Sequence, residues 1–247
     1  MAQDLLVPPR SPPRPLAAFC VEHGRWDAGA SFAVESPRGG QSGVALEYFG
    51  MNTGLVNGPD LKLAIQRDAD QQKVWREVAR VEAGVEVAMA GSGGGGFRPS
   101  PTGTYNAVFS RKEIVERRDA YVKDLLDRVL APGDAVGAVF AVDGNVTGVE
   151  TYVSPGLFRA MARKLVESYS LDAALASAPK KEASPPPAPG AVRAFLVEAA
   201  KGAGKDEALE NSLRRRVIES STIMGFEYRF VTGAPESEVL HSSYLRK

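Results

Sequence analysis

The chain has 247 residues, 44% of them hydrophobic and 24% charged, which is ordinary globular composition and enough for one substantial core. Thirty basic residues offset thirty acidic ones, so no cationic excess points to nucleic acid as a partner. One cysteine excludes an internal disulfide, and with two histidines it leaves too few ligands for a Cys/His zinc site; no metal is expected.

The first residues, MAQDLLVPPR, lack the basic and then apolar regions of a secretion signal. No apolar run approaches the roughly 18 residues that span a membrane. A soluble, cytoplasmic chain without a membrane partner is expected. PPRSPPRP favours an extended polyproline path, so residues 1–15 read as a Pro-rich lead-in. Leu16 to His23 reads as a strand, with Cys20 and Glu22 on one face and His23 on the other. A carboxylate beside a thiol raises the thiol pKa, so Cys20 and Glu22 alone make a poor thiolate nucleophile. Arg25 could offset that charge, Glu22 could act as a general base, and Trp26 could stack on a flat ring or cap the core. The alternative is a structural strand ending in an Arg–Glu pair.

Residues 27–61 are rich in Gly, Ser and Asn and read as loops with short extended pieces. A helix is expected over 68–84, with Val74, Val78 and Val81 at helical spacing, Trp75 and Ala79 beside them, and Gly84 as its C-terminal cap. GSGGGG, residues 91–96, matches a dinucleotide fingerprint in letters only. The two prolines that follow do not open a helix, so 91–104 reads as a flexible excursion. A second helix is expected over 110–130, opened by a Ser110/Glu113 capping box, with Ile114, Tyr121, Leu125 and Val129 as its apolar stripe.

Two β-rich runs flank DGN within residues 135–153, a hairpin signal. Ser154–Pro155 then opens a third helix, with Phe158, Met161, Leu165 and Tyr169 on the face that packs on the hairpin. Residues 176–190 are a low-complexity Pro/Ala/Lys excursion. AVRAFLVEAAKGA reads as a fourth helix, with Val192, Phe195, Leu196 and Ala199 clustered. GAGK, residues 202–205, lacks the features of a phosphate loop and carries no signal. From Leu213 to Leu245 the chain alternates like strands. Arg214–Arg216 alternate faces there and read as solvated, with phosphate contact as the other option. Helices and hairpins in blocks imply an α+β class: a mostly antiparallel sheet with three to four packed helices, forming a single domain over 16–247 with a Pro-rich insertion.

CVEHGRW, QQKVWREVA, GDAVGAVFAVDGNVTGVETYVSPGLF and KLVESYSLDAAL occur in this order. In these motifs, over about Leu16 to Leu175 and more loosely at EVLHSSYL, the chain resembles the bacterial ARG and rhodanese-phosphatase-superfamily-associated protein domain, a domain of unknown function. The resemblance carries over Cys20, Glu22, Arg25, Trp26, Gln72, Trp75, Glu150, Ser168, Tyr169, Leu171, Asp172 and His241. The glycine loop, the Pro-rich insertion and a start without the β-rich segment that usually precedes the cysteine strand depart from its pattern.

The family's gene neighbourhoods, with ADP-ribosylglycohydrolases and rhodanese-like phosphatases, imply binding or hydrolysis of a nucleotide-sugar, ADP-ribose or NAD-derived compound. Cys20, Glu22 and His241 would be the catalytic candidates. Arg25, Trp26, Gln72, Trp75, Glu150 and Asp172 would line the ligand site. No cofactor is indicated. The rival expectation is a non-enzymatic interaction module that forms homo-oligomers or binds a partner protein.

Overall fold

The structure, a computed structural model, describes residues 9–12, 19, 58–90, 105, 112–175, 184–209, 212–231 and 238–247. Among these are five helices and six strands: α1 (Pro59–Asp68), α2 (Gln71–Ala90), α3 (Lys112–Leu130), β1 (Gly137–Val142), β2 (Asn145–Tyr152), α4 (Pro155–Leu175), α5 (Pro189–Ala200), β3 (Ala203–Ala208), β4 (Leu213–Glu219), β5 (Ile223–Phe230) and β6 (Glu238–Arg246). The strands form one antiparallel sheet in the order β1-β2-β6-β5-β4-β3. The α+β class therefore holds, with one more helix than expected.

Local chemistry sets most boundaries. Asp143 and Gly144 both take positive φ, 52° and 79°, the geometry a tight hairpin turn requires, so DGN joins β1 to β2 as expected. Ser154 Oγ accepts the Leu157 N–H at 3.2 Å and Pro155 fixes the first turn, which starts α4. Pro59 likewise opens α1, and Ala69 ends it in the left-handed region at φ 47°.

Five expectations are corrected here. The loop expected up to Leu61 gives way to a helix from Pro59 to Asp68, and the helix expected over 68–84 starts at Gln71 and runs through Gly84 to Ala90. On α3 the buried side chains are Ile114 and Val122, with Leu126 and Val129 beside them, while Tyr121 and Leu125 are 43% and 37% exposed. Ile114 and Val129 of the expected stripe face inward, but between them Val122 and Leu126 take the places expected for Tyr121 and Leu125, because a second apolar row there meets α4. On α5, Phe195 and Ala199 are buried but Leu196 is exposed, since only one side of this short helix touches the sheet. Pro189 and Gly190 belong to α5, so the Pro-rich segment ends earlier than its composition suggests. Residues 1–8, 13–18, 20–57, 91–104, 106–111, 176–183, 210–211 and 232–237 lie outside the described residues, and with them the Pro-rich lead-in, the cysteine strand, the glycine loop and Ser110 of the expected capping box.

Strand alternation gives the sheet two different faces. One carries Tyr152, Phe140, Met224, Phe226, Tyr228 and Leu245, buried under Phe158, Ala162, Leu165, Val166 and Tyr169 of α4, with Leu63 of α1 and Val122 of α3. Phe140 and Tyr169 stack in parallel, centroids 3.9 Å apart. A second cluster joins α1 and α2 through Leu61, Ile65, Val74, Val78, Val81 and Val85, and Phe19 packs against it. The other sheet face is covered by α5, where Phe195 and Ala199 meet Val146, Val149 and Ile223.

Gly148 marks the closest approach of α4 to the sheet, because a Cβ there would lie 2.2 Å from the Tyr169 hydroxyl. Overpacking against a ring already stacked on Phe140 leaves it no easy retreat. Gly148→Ala is expected to lower the urea-derived unfolding free energy by about 1–3 kcal/mol. A change below about 0.5 kcal/mol, the range of an indifferent surface substitution, would contradict this packing.

Candidate functional site

Glu150 lies on β2 in the row that faces α1 and α4. Its alternation partner Tyr152 is in the core, so its carboxylate is driven into the same layer. The residue is 0% exposed. An isolated carboxylate there would be costly, and the surrounding chain answers with four donors. Oε1 accepts from Lys62 Nζ at 2.6 Å, from the Tyr169 hydroxyl at 3.0 Å and from Ser243 Oγ at 2.9 Å. Oε2 lies 3.0 Å from His241 Nε2. Lys62 Nζ also donates to Ser243 Oγ at 2.9 Å, which closes a ring of contacts.

Each donor is delivered by ordinary geometry. Lys62 sits in the first turn of α1, where its amide closes on the Gly58 carbonyl at 2.9 Å. Antiparallel register sets Ser243 directly opposite Glu150 and His241 opposite Tyr152. Tyr169 comes down from α4 above Gly148. His241 is held flat between Tyr152 and Tyr228, whose rings lie 4.5 and 5.8 Å away within 7° of parallel. Burial alone pushes the Glu150 carboxyl up. The Lys62 charge and the His241 and Lys62 hydrogen bonds outweigh it and hold the group down at about 2.

What this arrangement can do follows from its charges. Glu150 is sealed, so it positions other groups rather than meeting a ligand. The Lys62 side chain is 21% exposed and is the member of the set that reaches outward. Beside the first turn of α1 opens a cleft of about 470 Å³, lined in part by Gly58, Leu61, Tyr105, Thr147, Leu171 and Arg246. Leu61 adjoins Lys62 in the chain, and Leu171 follows Tyr169 by two positions. Gly58 N–H donates to the Tyr105 hydroxyl at 3.1 Å, which fixes the mouth of α1. Among the described residues no group of three His, Cys, Asp or Glu side chains is placed to hold a metal ion.

Of the residues singled out in the sequence, Glu150, Tyr169 and His241 meet. Gln72 is exposed in the first turn of α2 and takes no part in the network, and Trp75 is half-buried on the same helix. Asp172 lies in the last turns of α4. Cys20, Glu22, Arg25 and Trp26 lie outside the described residues. Sequence reasoning missed Lys62 and Ser243. Lys62 falls between the stretch read as loop and the helix expected from residue 68, 88 positions from its partner, and only the register of β2 with β6 reveals Ser243.

The network carries a pH signature. The Glu150 carboxyl is lowered from 4.5 to about 2, so the unfolded chain binds more protons between those values, and stability is lost as pH falls through that window. The contribution, complete above pH 4.5, is roughly 3 kcal/mol. Glu150→Gln is expected to cost about 3–5 kcal/mol at pH 7, because Lys62 then faces an amide, and to remove this part of the acid limb from urea titrations at pH 2.5–7. An unchanged acid limb in the variant would contradict the assignment.

A family model, the ARG and Rhodanese-Phosphatase-superfamily-associated Protein domain, matches residues 1–245. No curated protein and no solved structure gives a match. The match spans the described helices and all but the last residue of β6, including Lys62, Glu150, Tyr169, His241 and Ser243. The chain belongs to the ARG and Rhodanese-Phosphatase-superfamily-associated Protein domain family.

Proposed function

We propose that the chain binds a small phosphate-bearing compound of the nucleotide-sugar, ADP-ribose or NAD-derived class and acts on it by hydrolysis or group transfer. The single observation that carries this reading is the sealed, ionised Glu150 and its four donors. Buried ion pairs are poor sources of stability, and apolar side chains of similar volume often serve a fold as well or better. A charged cluster with a strongly displaced carboxyl, set near a cleft, is a recurrent mark of a functional site. In this reading Lys62 meets the anionic part of the ligand, Glu150 is the positioning residue that fixes the Lys62 ammonium and the His241 ring, and the cleft beside α1 receives the remainder. The ADP-ribose class rests on the family's association with ARG proteins.

One feature favours the rival, non-enzymatic module. β1 is an edge strand without a charged side chain, and Val139 is 44% exposed on it. Thermal shift with ADP-ribose and with NAD separates the two readings. A ligand at 100 times its Kd stabilises by about 2.7 kcal/mol, which raises Tm by about 5–10 °C in a domain of this size. The parent is expected to show such a shift and Lys62→Met to lose it. No shift in the parent with either compound favours the module.

A further inference from the structure

The sheet face that carries α5 has a second polar surface. Register places Thr151, Ser242, Glu227, Arg216 and Asp206 in one row across five strands. Arg214 and Arg229 stand directly opposite each other one step along the same face. Like charges in that position repel, and among the described residues one of the two is answered by a carboxylate. Arg229 donates to Glu227 Oε2 from Nε at 3.1 Å and from Nη2 at 2.5 Å. The other Glu227 oxygen accepts from the Tyr244 hydroxyl at 2.5 Å. That carboxylate is therefore committed.

Arg214 and Arg216 make no ion pair among the described residues. Arg216 Nε is buried and has no acceptor among the described residues. Asp206, across from Arg216, is exposed and accepts no hydrogen bond from it. The guanidinium lies against the β3 backbone, because a Cβ on Gly204 would sit 2.5 Å from Nε and 2.7 Å from Nη2. A buried guanidinium donor without a protein acceptor is expensive, and it leaves the positive charge of this side chain poorly answered by the chain itself.

We infer that Arg214, Arg216 and Arg229 form an oxyanion site for a phosphoryl group of a small molecule. The half-buried Arg216 supplies the outer nitrogens of its guanidinium, Arg214 the exposed fork, and Arg229 the flank. A phosphoryl group would answer the Arg216 charge and relieve the Arg214–Arg229 repulsion together, using the planar donor fork of guanidinium. The site lies on the opposite sheet face from Glu150, so it stands or falls apart from the function proposed above.

The test follows the arginine Nε–H signals of ¹⁵N-labelled full chain during titration with inorganic pyrophosphate, against sodium chloride at matched ionic strength. Saturable movement of the Arg216 and Arg214 signals is expected with pyrophosphate alone. Arg214→Gln/Arg216→Gln is expected to weaken binding by roughly tenfold or more for each guanidinium removed, with its thermal melt confirming the fold. Asp206→Asn, which removes a competing carboxylate, is expected to tighten it. Equal movement with chloride, no saturation, or unchanged affinity in the folded double variant overturns the inference.

Discussion

The carboxylate of Glu150 is the constraint on which the arrangement of this chain depends. It is the charge that the α1–α4 side of the sheet must accommodate without water, and the donors that do so come from α1, α4 and β6. Each is needed with its neighbours, because withdrawing one leaves part of a buried charge unmet. Hydrophobic packing would hold α4 on the hairpin in several similar poses. The Tyr169 hydroxyl and the Lys62 ammonium single out one, since both must reach the same oxygen.

The sheet divides its labour between its faces. The buried face combines aromatic packing with the Glu150 network, and the Tyr152–His241–Tyr228 stack joins the two. The second face pairs a small apolar patch under α5 with a row of hydroxyl, carboxylate and guanidinium groups. Tyr244 shows how far that row departs from water. Burial, reinforced by its hydrogen bond to Glu227, pushes its phenol well above the ordinary range, so it remains a donor. Polar groups on both faces are thus held in one protonation state by their surroundings rather than by bulk pH.

Much of this frame is legible from local chemistry. The DGN hairpin, the Ser154–Pro155 helix start and the inward face of α4 each rest on residues within one or two turns of one another. β4, β5 and β6 show in their alternation. α1 was hidden because GPDLKLAIQRD follows a Gly/Ser/Asn-rich stretch and begins with loop-forming residues. β3 was hidden because an exposed edge strand, AGKDEA, has little reason to alternate. The middle of the stripe on α3, Tyr121 and Leu125, was misplaced by one position, since two apolar rows overlap there and only contact with α4 chooses between them. The candidate site was half legible: family resemblance singled out Glu150, Tyr169 and His241, but a lysine and a serine far away in number become partners only through tertiary register.

The central claim is that Glu150 stays ionised in its sealed position because Lys62 and His241 hold it so. Carboxyl ¹³C NMR of glutamate-labelled chain, with Glu150 assigned by its loss in Glu150→Gln, measures this directly. The account predicts a carboxylate shift still present at pH 4 and a midpoint near 2. A Glu150 midpoint at or above 4.5, the ordinary value, would contradict it.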